Sequence, residues 1–187
     1  RRVLFRSYHG ILGHTIEIPE GNEESYKAGR NAVLGGIDFL NQDPDRLLEM
    51  RLNFYLRGLN KTEDPKAENE LVGPNGEIVG RVKNGRPKFF PDYYVIPMSL
   101  DKDNDAQEAF NMIDYFKRNG VLVKELKEDT GPYKKGDLVI DMAQAKRGYA
   151  NHILYKGSNE SAWAAMYAEL LVNFPDMRGF KSEPIFA

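Results

Sequence analysis

The sequence predicts an α/β protein in two parts, the end of one α/β domain followed by a smaller α/β domain with a parallel or mixed sheet. Three observations carry that prediction. Apolar residues recur at helical spacing in two stretches, from Tyr26 to Leu40 and from Leu47 to Leu59. A charged, polar stretch, TEDPKAEN, follows from Thr62 to Asn69. Beyond it, short apolar runs alternate with an amphipathic helical stripe, and strand–helix–strand spacing favours a parallel or mixed sheet covered by helices.

At 187 residues, with 41% hydrophobic and 11% aromatic composition, the chain can bury a core and falls outside the disordered class. The 26 basic and 28 acidic residues leave a net charge of −2, which gives no electrostatic case for nucleic acid or an anionic membrane. No apolar run approaches the ~18 residues of a membrane span. With no cysteine there is no disulfide framework, thiolate metal site or thiol nucleophile.

The elements follow in order. Residues 1–7, RRVLFRS, are what AGACGTGTGCTCTTCCGATCT encodes, which resembles the end of a sequencing adapter. They are set aside from fold reasoning as a scar; the alternative is an ordinary basic start to a strand. Residues 8–61 form the first part. In GHTIEIP the β-favouring Thr and Ile predict a short, largely buried strand ended by Pro19. EESYKAGRNAVLGGIDFLNQ then predicts a helix, with Gly35 and Gly36 permitting close packing. Asp43-Pro44 opens a second helix, with Asp43 as cap and Pro44 in the first turn, closing between Gly58 and Lys61. Residues 62–91 form a connector in which Pro74-Asn75-Gly76, set between apolar runs, signals a hairpin.

Residues 92–187 are the second α/β domain. YYVIPM is an apolar strand, and a helix capped near Asn104 or Asp105 carries Ala109, Phe110, Met112, Ile113 and Phe116 before stopping at Gly120. VLVKEL and DLVIDM are the next strands. Helices are expected from Gln144 to Leu154 and from Ser161 to Asn173.

GHTIEIPEG poses the chemical question. His14 and Glu17 have the His-x-x-Glu spacing of a zinc pair, yet on a strand positions i and i+3 point to opposite faces. The extended reading therefore leaves Glu17 as an isolated carboxylate; a salt-bridged structural glutamate is the remaining option. A catalytic zinc needs about three protein ligands and an open position. The chain offers only His9, His14 and His152, the last among helix-forming residues, so no metal or other cofactor is expected to be held by this chain itself.

GHTIEIP followed by the EESY helix resembles the end of the catalytic domain of zinc metallocarboxypeptidases of the carboxypeptidase A type. FFPDYYVIPM, RNGVLVKEL, YKKGDLVIDMAQAKRGYANHILY and FPDMRGF are similar to the accessory domain that follows the peptidase domain in large bacterial members, so the resemblance covers nearly all of residues 8–180. It implies that residues 8–61 end the peptidase domain and 92–187 form the accessory domain. It also implies that the parent hydrolyses C-terminal peptide bonds of peptides or cell-wall peptides, outside the cell or at its surface. By resemblance Glu17 is the catalytic residue, the general base and proton shuttle beside a zinc-bound water. In the family the zinc ligands, a carboxylate-binding arginine and a closing tyrosine lie upstream of this strand. None of them maps onto this chain, and Tyr8 and His9 stand too close to Glu17 to be assigned. The zinc thus belongs to the full-length parent, and this chain alone is expected to be inactive. Zinc brings the pKa of its water toward ~7, and a carboxylate that takes and returns the proton contributes ~10²- to 10⁴-fold. Partial burial by Ile16 and Ile18 is expected to tune that carboxylate.

Other features weigh less. Lys146 and Arg147 in AQAKRGYAN suit phosphate or carboxylate recognition at a helix terminus, against the commoner solvated helix face. Trp163 and Tyr167 read as a packing edge. DKDND imitates a calcium loop, but Ala106 occupies the glycine position and Met112 the glutamate position. No glycine pattern matches a dinucleotide or phosphate loop. The rival to a peptidase is a non-catalytic module, flavodoxin-like or amidotransferase-like in layout, that binds a ligand at strand C-termini or packs against a neighbour.

Overall fold

Capping chemistry sets the first helices. Asn22 Oδ1 accepts the Ser25 N–H at 2.9 Å and opens α1, Glu23–Gln42, while Glu23 and Glu24 place negative charge at its N-terminus. Asp43 Oδ1 accepts the Arg46 N–H at 2.9 Å, and Pro44 begins α2, Pro44–Leu59, as the sequence predicts. The computed structural model describes residues 7, 9–11, 13, 16–18, 20–63, 71–72, 78–79, 90–99, 104–155 and 174–187. The chain divides into two compact units, Arg1–Leu56 and Arg57–Ala187.

The first unit has secondary structure but little interior. No residue of α1 is buried, and in α2 only Gly58 is, already within the second unit's range. Val33, Leu34, Ile37 and Leu40, which share one stripe of α1, are all exposed, as are Leu48, Leu52 and Leu56 of α2. The predicted close packing at Gly35 and Gly36 is absent: among the described residues nothing lies within 4 Å of where a Cβ would stand. Tighter contact occurs at Gly29, where a Cβ would come within 2.8 Å of Ile18 Cδ1, so Ile18 leans on α1. The Tyr55 hydroxyl donates to the His9 carbonyl at 2.7 Å.

The expected buried strand over GHTIEIP is not found in its described part. Ile16, Glu17 and Ile18 belong to no strand and are exposed. A strand exists only when a neighbour takes up its backbone donors and acceptors. Among the described residues none pairs with this segment.

In the second unit β1, Leu71–Val72, and β2, Ile78–Val79, pair antiparallel; the turn expected at Pro74-Asn75-Gly76 lies outside the described residues. The main sheet comprises β3, Tyr93–Ile96, β4, Lys124–Glu125, β5, Leu138–Asp141, and β6, Glu183–Ile185, in the order β4-β5-β3-β6. Its helices are α3, Ala106–Arg118, α4, Arg147–Leu154, and α5, Phe174–Arg178. The α/β class is as predicted; the parallel or mixed sheet is corrected. Each described pairing is antiparallel. The β3–α3–β4 crossover does bring β4 back in the direction of β3, as the spacing implies. However, β5 turns back from β4 and inserts between the two, with Tyr94 opposite Ile140 and Lys124 opposite Val139. A parallel pair in direction thus becomes a split one.

The core lies between this sheet and its helices. Its buried side chains include Tyr94, Ile96, Ile140 and Met142 of the sheet and the turn after it, Ala109, Met112, Ile113 and Phe116 of α3, and Tyr149, Ile153 and Leu154 of α4, with the Phe116 and Tyr149 rings edge to face at 6.5 Å. Asp105 caps α3, its Oδ1 accepting from Gln107 at 3.0 Å and Glu108 at 3.1 Å, and Gly120 leaves the helix with φ +77°. Phe110, predicted on the core stripe, is 60% exposed and sits on the outer face of α3. The strand expected over VLVKEL shortens to Lys124–Glu125. The expected Ser161 to Asn173 helix, with Trp163 and Tyr167, lies outside the described residues, as do the first three residues of DKDND. Among the described residues no helix is long and apolar enough to cross a membrane.

Candidate functional site

Glu17, the sequence's one catalytic candidate, stands on the non-strand segment ahead of α1. Its side chain is exposed, and Ile16 and Ile18 are 47% and 38% exposed, so the expected partial burial by these neighbours is not found. His14 lies outside the described residues. Among the described residues no three His, Cys, Asp or Glu side chains converge on a point where a metal ion would sit. Three ligands are the usual minimum for a catalytic zinc. The described residues therefore do not fit a zinc centre, and proton transfer at Glu17 would need partners from beyond them. His152 lies on α4, the helical setting expected for it.

The side chains that do converge belong to the DMAQAKRG segment of the second unit. Asp141 ends β5, and its Oδ1 accepts the Ala143 N–H at 2.9 Å, turning the chain out of the sheet. Its Oδ2 accepts from Lys124 Nζ at 3.1 Å. Burial opposes ionisation of this carboxyl, but the Ala143 N–H and the Lys124 ammonium outweigh it and hold the group below its ordinary value.

Gln144 follows, fully buried. Its Nε2 donates to the Asp141 carbonyl at 2.6 Å and the Leu122 carbonyl at 3.3 Å, and its Oε1 accepts the Leu122 N–H at 2.9 Å. One amide thus fastens the segment after β5 to the chain entering β4. The expected helix begins only at Arg147. Gly58 explains the approach on the other side. A Cβ there would collide with the Gln144 carbonyl oxygen, so only glycine fits.

Arg147 is buried as well. Its Nη2 donates to the Thr62 carbonyl, and its guanidinium stacks over the Phe90 ring at 4.2 Å. Burial pulls this group below its ordinary value, and the Glu63 carboxylate opposes that. Glu63 Oε1 also accepts the Phe90 N–H at 2.9 Å. Nearby, Lys61 pairs with Asp92 at 3.2 Å and lies 5.0 Å from the Tyr93 ring centre. Asp92 Oδ2 accepts the Ala187 N–H at 3.0 Å.

The commoner reading of the Lys146–Arg147 pair, a solvated helix face, is corrected at Arg147, whose side chain is buried. Arg147 faces inward with its guanidinium engaged, and the Lys146 chain runs beside Gly120. The less favoured reading, anion recognition, would need a guanidinium fork facing the ligand, and here Nη2 is given to the Thr62 carbonyl and the planar face to Phe90. Sequence patterns missed Lys61, Asp92 and Gln144 because their partners lie 22 to 95 residues away. The one available signal was the clustering of polar residues in DMAQAKRG between two apolar elements.

The comparisons with known proteins return no match: no family model fits the chain, and neither a curated protein nor a solved structure is significantly similar to it.

Proposed function

We propose that this chain is the C-terminal part of a zinc-dependent metallocarboxypeptidase that hydrolyses C-terminal peptide bonds. Residues 8–61 would end its catalytic domain and 92–187 would form its accessory domain. The support is twofold. GHTIEIP with the EESY helix, and the longer run through DMAQAKRG and FPDMRGF, resemble that family in order and spacing. Independently, α1 buries none of its apolar stripe, so the first unit lacks the interior that amphipathic helices need. That unburied stripe is the observation that carries the proposal, because it is what an edge of a larger α/β domain would look like by itself.

Glu17 takes and returns the proton in this reading, and the metal is held by residues outside this chain. The test uses the parent protein with Glu17→Gln. Peptide hydrolysis is expected to fall by about 10²- to 10⁴-fold, with zinc content unchanged. Activity within twofold of the parent would remove Glu17 from the mechanism.

The alternative is a non-catalytic module that packs against a neighbour or binds a ligand, the latter read from a flavodoxin-like layout. That mode needs a crevice at the C-terminal ends of parallel strands, and the described pairings are antiparallel. A packing role for the second unit remains compatible with its own well-filled core.

A further inference from the structure

We draw no further inference here: the strongest candidate, the exposed apolar faces of α1 and α2 in the first unit, carries none because nothing in the structure shows what covers them.

Discussion

Gln144 shows how much a single side chain can settle. A buried amide that makes three hydrogen bonds is costly to remove, since each abandoned partner stays out of water. Gln144→Ala should lower unfolding free energy by about 1–3 kcal/mol, read from urea denaturation of the whole chain. An unchanged midpoint would mean that the tie to Leu122 does not hold the segment. Asp141 gives a pH signature. Its carboxyl is held below the ordinary value, so its stabilising effect is complete above the unfolded pKa of about 3.9. That effect is lost as pH falls through the folded value. Wild type should therefore exceed Asp141→Asn in stability at neutral pH, and the gap should close below about pH 4. A gap independent of pH would contradict the ionised pair with Lys124. Neither residue was legible as an anchor in the sequence. Gln144 reads as a good helix former, and only its long-range partners redirect it.

At the level of elements, local chemistry was legible and pairing was not. The caps at Asp43 and Asp105 and the stop at Gly120 stand where the residue types put them. Sheet direction failed for an identifiable reason. Tyr94, Val95 and Ile96 are all buried, so β3 is covered on both faces and reads as the continuous apolar run typical of parallel strands. Nothing local announces that β5 will slide in beside it. The same limit applied at Ile16–Ile18, where β propensity predicted a strand that has no described partner.

The connector offers a test at this scale. Glu63 and Phe90 are joined by a hydrogen bond, and Arg147 grips both Thr62 and Phe90. The two ends of the stretch between Glu63 and Phe90 are therefore held together. Replacing residues 64–89 with a short Gly-Ser linker should leave the melting temperature of the chain within a few degrees, because closing a shorter loop costs little. A loss of cooperative unfolding would show that the excised segment supports the core.

The two units differ in the whole molecule's terms. The second has a sheet, covering helices and a filled interior; the first has helices whose apolar residues remain in contact with solvent. Composition and periodicity predicted the helices of both. They did not predict that one set would go unburied, since amphipathicity states that a face seeks a partner without naming it. The catalytic proposal inherits that incompleteness. Glu17 was legible as a candidate from its setting in GHTIEIP, whereas its chemistry depends on groups that the described residues do not supply.

The most direct measurement is therefore to read the coding DNA upstream of Tyr8 in the source genome. The account predicts an open frame running into Tyr8 that encodes a His-x-x-Glu pair and a later histidine on peptidase-like strands, together with an arginine for the substrate carboxylate. An upstream frame without those ligands, or a stop codon directly before Tyr8, would contradict it.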